Sequence, residues 1–167
     1  KVKEIYEKVD LEKYLTESID VESLTEIYNK FNLKEHYPNL DFDRLKDLYD
    51  NPPNSLRSPA YKRFNIVYDK VHVRQYLTAI LQMIFNNMDL IVVFCGKEGT
   101  GKTTASTKDA YLVWWLLNEI KVIDYDYTLK NVMYYDLKGT INGFNRFSEQ
   151  KLRMFIMDEG NELNRKN

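Results

Sequence analysis

Several things are scarce in this chain of 167 residues, and each scarcity removes a class of protein. Cys95 is the only cysteine, so no internal disulfide framework is available and a reducing compartment is expected. His36 and His72 are the only histidines and stand apart, which gives no metal-ligand spacing. Neither charge dominates: 24 Lys and Arg face 25 Asp and Glu, for a net charge of −1. No global field therefore draws the chain to nucleic acid or to an anionic membrane. No apolar run approaches the ~18 residues of a membrane span, and no stretch reads as a signal peptide. The longest such run is AYLVWWLL at 110–117. The expected location is the cytoplasm, or the host cytoplasm for a viral protein. The chain opens on Lys1 rather than Met, as expected of a piece of a longer protein.

Apolar residues are plentiful, at 44%, enough for a real core. Residues 1–50 read as helical. Val2, Ile5, Tyr6 and Val9 fall on one helical face. Leu24, Ile27, Tyr28 and Phe31 repeat the pattern after Asp20, and Phe42, Leu45, Leu48 and Tyr49 repeat it after Asp41; both aspartates are candidate N-caps. This stretch carries 8 Lys and Arg against 13 Asp and Glu, net −5: a solvated acidic face, or a docking module for a protein partner.

Residues 51–70 read as a linker, because Pro52, Pro53 and Pro59 break helices and the neighbouring Asn and Ser favour turns. Residues 51–75 hold 5 Lys and Arg against one Asp, net +4, interleaved with aromatics. Such a mixture can grip single-stranded DNA or RNA, or can join two structural units.

From residue 71 the pattern turns α/β. Val73, Leu77, Ile80, Leu81 and Ile84 share a helical face ahead of DLIVVFC, a run suited to a buried strand. TTASTKDAYLVWWLLNEI is the next helix, apolar all round in its second half, so Trp114 and Trp115 are expected in a core or subunit contact. KVIDYDY or NVMYY supplies a short strand, LKGTINGFNRF a weak helix, and RMFIM a strand ending at Asp158 and Glu159.

Between strand and helix lies GKEGTGKTT, residues 96–104. Gly96, Gly101, Lys102 and Thr103 satisfy the spacing G-x-x-x-x-G-K-[ST]. At average composition chance supplies that pattern about once in thirty thousand positions. A polyphosphate needs many donors around it. Glycines, with Gly99 as a third, let successive backbone N–H groups turn inward. The helix that follows adds its unpaired N–H groups and the positive end of its dipole. Lys102 is the candidate for the β- and γ-phosphates, the Thr103 hydroxyl for Mg²⁺, and Thr104 for the α-phosphate; Thr100 completes the loop. The bland alternative is a glycine turn that binds nothing, just as a solvated strand end is the bland reading of Asp158 and Glu159. Asp158 is otherwise placed to hold Mg²⁺ through water, and Glu159, on the other side of the pleat, to polarise an attacking water.

Together GKEGTGKTT and MFIMDEG resemble the Walker A and Walker B motifs of P-loop NTPases. The Asp-Glu ending is similar to the AAA+ and RecA-like branch, with its extra strand and catalytic glutamate. NVMYYDLKGTINGFNRF and DEGNELNRKN are more loosely similar to ATPases of phages, plasmids and archaeal mobile elements, including the zonular occludens toxin type. The resemblance spans residues 71–167 and implies a P-loop NTPase core, a parallel sheet flanked by helices, truncated at its C-terminal end and preceded by an all-helical segment. It further implies an ATP-hydrolysing, homo-oligomeric motor acting on nucleic acid or on partner proteins, with Lys102 and Glu159 catalytic and Thr103 and Asp158 on the metal. LIVVFCGKEGTGKTT is also similar to the opening of nucleoside monophosphate kinases, which leaves a small-molecule kinase as an alternative. A nucleotide-dependent switch without turnover is the other.

Overall fold

The computed structural model describes residues 19–59, 63–128, 133–134, 138, 141–142 and 156–157. The helix expected around Val2 to Val9 lies outside these residues, as do Asp158 and Glu159. The chain divides into two compact units.

The first unit draws on residues 19–55, 67–92 and 119–122. Its opening helix, α1 (Val21–Lys30), starts where Asp20 accepts hydrogen bonds from Ser23 N at 3.4 Å and Ser23 Oγ at 2.5 Å. The side chain thus satisfies a backbone donor that the first helical turn leaves open. Leu24 and Tyr28 are its buried residues, one turn apart. The Tyr28 hydroxyl donates to the Tyr37 carbonyl. Asn32, left-handed at φ 54°, then turns the chain into a short 3-10 helix, Leu33–Glu35; asparagine tolerates that region better than most side chains.

Helix α2 (Phe42–Asp50) repeats the device, with Asp41 accepting from Arg44 N at 2.9 Å, and it buries Leu45 and Leu48. Helix α3 (Lys70–Asn86) is capped by Asp69, which accepts from Val71 N and His72 N. All five residues expected on its apolar face are buried, and Tyr76 and Phe85 join them. The Phe42 ring joins the three helices: Tyr28 meets it edge-on at 5.3 Å, and Phe85 lies 6.4 Å away. Residues 119–122 complete the unit at the start of α2. Asp41 N donates to Ile120 O at 3.0 Å, Lys121 Nζ to Asp41 at 2.7 Å, and Arg44 Nε to Glu119 at 2.9 Å.

Strands β1 (Ser55–Arg57) and β2 (Asn65–Val67) pair within the segment read as a linker. The bonds Tyr68 N to Asn54 O and Ser58 N to Phe64 O, both 2.9 Å, make the ribbon antiparallel.

The second unit includes residues 56–66 and 93–118 and the described residues from 123 onward. Its long helix, α4 (Lys102–Glu119), matches the expected span to within a residue. Leu112, Leu116 and Leu117 are buried, whereas Trp114 and Trp115 are half-buried. Trp114 stacks on Tyr111 at 5.7 Å and donates through Nε1 to Tyr125 O at 2.8 Å, and Tyr127 packs against both rings. β3 (Met133–Tyr134) lies parallel to β4 (Ile156–Met157), pairing Met133 with Ile156 and Tyr134 with Met157.

The expected α/β core, a parallel sheet flanked by helices, is not what forms. Four helices dominate the described residues, and each sheet has only two strands. The decisive segment is the apolar run before the glycines. Residues 90–97 belong to no strand, and Ile91 and Val93 are 81% and 74% exposed. The physical reason is pairing. Among the described residues no strand pairs with that run, β4 being paired with β3, and an apolar run becomes a buried strand only where adjacent strands take up its backbone groups. KVIDYDY likewise forms no strand: residues 121–128 are irregular, and NVMYY supplies β3 instead. No helix among the described residues is long and apolar enough to cross a membrane.

Candidate functional site

The glycine loop lies in the second unit and runs directly into α4. Gly99 and Gly101 take φ values of 76° and 80°, where a side chain is strained, although a Cβ at either position would meet nothing within 4 Å. Backbone conformation, rather than crowding, calls for glycine at those two positions. Gly96 answers a different need. A Cβ there would stand 2.8 Å from Thr100 Oγ1, so the missing side chain lets the loop close on itself.

That closure is built on backbone carbonyls. Lys97 O accepts from Thr100 Oγ1 at 2.7 Å, from Thr100 N at 3.3 Å and from Lys102 Nζ at 2.8 Å. Lys102 Nζ also donates to Gly96 O at 2.9 Å. The lysine therefore folds back from the first residue of α4 across the loop that precedes it. An ammonium has three donors, and two hydrogen bonds at fixed angles aim the third. The charge is thereby held over the loop while remaining exposed to solvent.

The helix terminus acts in the same direction. α4 has no acidic residue in its first turn, Gly101 brings no capping side chain, and the regular ladder starts with Ala105 N donating to Gly101 O at 2.9 Å. Thr103 and Thr104 occupy that first turn, both exposed. Farther along, Thr107 Oγ1 bonds back to Thr103 O at 2.9 Å, and Ser106 Oγ to the same carbonyl at 3.0 Å. Both bonds occupy carbonyls and leave the helix-terminal N–H groups facing the loop. Lys97 adds a second cation to the loop, and exposed Glu98 opposes it. Cys95, just ahead of the loop, is an exposed free thiol.

Of the residues singled out in the sequence, the structure gathers Gly96, Gly99, Thr100, Gly101, Lys102, Thr103 and Thr104 into one loop-to-helix corner. β4 ends immediately before Asp158; that residue and Glu159 are outside the described residues. Sequence reasoning missed the part played by Lys97. Its carbonyl organises the loop, and a backbone oxygen leaves no mark in side-chain patterns. Among the described residues no group of three His, Cys, Asp or Glu side chains is arranged to hold a metal ion. The Thr103 hydroxyl is nevertheless a hard oxygen donor of the kind Mg²⁺ takes beside phosphate oxygens.

Compared with protein-family models, with curated proteins and with solved structures, the chain matches nothing.

Proposed function

We propose that the chain binds a nucleoside triphosphate at residues 96–104 and hydrolyses it with Mg²⁺, as P-loop NTPases of the AAA+ and RecA-like branch do. One observation carries the reading: Lys102 sits at the start of α4 with its ammonium fixed on the Gly96 and Lys97 carbonyls. A glycine turn that binds nothing has no use for a cation anchored at the positive end of a helix dipole. A polyphosphate does.

In this proposal the backbone N–H groups of Gly99 and of Gly101 to Thr104 receive phosphate oxygens, and Lys102 neutralises charge at the β- and γ-phosphates. Thr103 and Asp158 would hold the metal, which supplies charge compensation when bound. Glu159 orients the attacking water. ATP is preferred over GTP because the sequence has no N/T-K-x-D guanine-reading segment. The wider role is a motor or remodelling ATPase, working as a homo-oligomer on nucleic acid or on partner proteins engaged by the N-terminal helices. The exposed free thiol of Cys95 suits the cytoplasm as its location.

Phosphate release from ATP, measured with and without DNA for the protein and for Glu159→Gln, tests this. Turnover that Glu159→Gln loses while still binding ATP is the expected result. Dependence on a small acceptor would indicate a kinase instead. Binding without release of phosphate would leave only a switch.

A further inference from the structure

The glycine loop holds a second cation that the nucleotide reading leaves without a role. Between Leu90 and Thr107 the only charged residues are Lys97, Glu98 and Lys102. Lys102 and Glu98 by themselves would leave this stretch neutral, a poor match for a polyphosphate. Lys97 makes it two cations against one carboxylate, net +1.

The backbone of Lys97 is the fixed point of the loop. Its carbonyl accepts from Thr100 Oγ1 at 2.7 Å, from Thr100 N at 3.3 Å and from Lys102 Nζ at 2.8 Å. The last of these bonds sets a distance. A carbonyl oxygen lies roughly 2.4 Å from the Cα of its own residue, so Lys97 Cα stands within about 5 Å of the Lys102 ammonium. A lysine stem reaches roughly 6 Å from Cα to ammonium. A phosphate oxygen bonded to Lys102 is therefore within reach of Lys97 as well. The side chain is available for that contact. Lys97 and Glu98 are both exposed, and among the described residues neither side chain has a hydrogen bond or ion pair.

The same bonds place Lys97 along the ligand. Thr104, the partner of the α-phosphate in the reading above, is in the first turn of α4. Lys97 O instead holds the ammonium that serves the β- and γ-phosphates. Lys97 thus belongs to the far end of the polyphosphate.

We propose that Lys97 is a second phosphate-binding cation, whose ammonium contacts the terminal phosphate of a nucleoside triphosphate and so selects it over the diphosphate. This rests on the nucleotide reading and names what that site prefers. A diphosphate lacks the oxygens that Lys97 would grip, and Lys102 is then the one ammonium in contact. A charge-assisted hydrogen bond made to only one of two ligands is a direct source of specificity.

Calorimetric titration with Mg²⁺-ATP, Mg²⁺-ADP and inorganic tripolyphosphate is the test. It compares the protein with Lys97→Gln, Lys97→Arg, and Lys97→Gln combined with Glu98→Gln. Lys97→Gln should weaken ATP and tripolyphosphate by about tenfold, the scale of one hydrogen bond to a charged group, and ADP by no more than about twofold. Lys97→Arg keeps the charge and should keep most of the preference for ATP. The double variant restores net +1 without the contact, so its recovery should be partial. The loop uses the Lys97 carbonyl rather than its side chain, so thermal melts should not change. Should Lys97→Gln disturb folding, Lys97→Met removes the same charge. The inference is overturned, with nucleotide binding left standing, if Lys97→Gln binds ATP and tripolyphosphate as the wild type does. Equal losses for ATP and ADP overturn it too, as does full recovery in the double variant, since either reduces Lys97 to a diffuse charge. A wild type that binds neither ATP nor tripolyphosphate ends this inference and the nucleotide reading together.

Discussion

Lys102 and Gly96 are six residues apart, and the ammonium of one donates to the carbonyl of the other at 2.9 Å. The bond joins the first glycine of the loop to the first residue of the helix. Removing the lysine thus removes both the proposed phosphate partner and the tie that shapes the loop. Hydrogen bonds to charged groups contribute roughly 1.5–3 kcal/mol. Lys102→Ala should therefore weaken ATP binding by about 10- to 150-fold, read by calorimetric titration. The thermal unfolding of the first unit should not change.

Gly96 and Thr100 make a coupled pair. Gly96→Ala places a Cβ 2.8 Å from Thr100 Oγ1, and that hydroxyl is itself held by Lys97 O. The single variant should open the loop and reduce nucleotide affinity. Without the hydroxyl the nearest contact with residue 100 is its Cβ at 3.7 Å, an ordinary distance. Gly96→Ala combined with Thr100→Ala should then bind nucleotide more tightly than Gly96→Ala alone. A double-mutant cycle on nucleotide affinity measures the coupling, and additive effects would refute it.

Acid stability should report on Asp41. The hydrogen bond from Lys121, followed by the backbone N–H of Arg44, holds its carboxyl below the ordinary 3.8. A depressed folded-state pKa contributes stability that is complete above the unfolded value and fades as pH falls through the folded one. Asn caps a helix as well as Asp does, so Asp41→Asn isolates the charge. At pH 7 it should lower unfolding free energy by less than ~1 kcal/mol, the range of an exposed pair. Below the folded pKa the variant and the parent should converge. Denaturant melts at pH 7 and at pH 2 provide the comparison.

The caps and helix faces were readable because they are local. Asp20 and Asp41 act within three residues of themselves, and the α3 face repeats at helical spacing, so sequence neighbours decide both. The sheet was not readable, since an apolar run such as DLIVVFC records a preference for burial and not the identity of a pairing strand. The β1–β2 ribbon was hidden for a related reason. Its three-residue strands are too short for alternation to show among prolines and basic residues. Within the site, GKEGTGKTT disclosed the turn and the lysine, whereas the anchoring carbonyls emerged only with coordinates.

Tyr127 should titrate late. Burial first, and then the neighbouring Tyr111, push its hydroxyl up to about 12 from the ordinary 10.0. Here the neutral form is favoured by folding, so the contribution is complete below the unfolded pKa and is lost as pH rises through about 12. Absorbance at the phenolate band should show a delayed step that Tyr127→Phe removes. A tyrosine titration unchanged by that substitution would contradict the packing of Tyr127 against Tyr111 and Trp114.

The run from Leu90 to Lys97 is not laced into a sheet. A cradle rooted in a sheet would be braced from both sides, but this loop is tied to the front of α4, by Lys102 Nζ on the Gly96 and Lys97 carbonyls and by Ala105 N on Gly101 O. Its fit to a ligand is therefore inherited from that single helix, and a small axial slide of α4 would carry every donor along together.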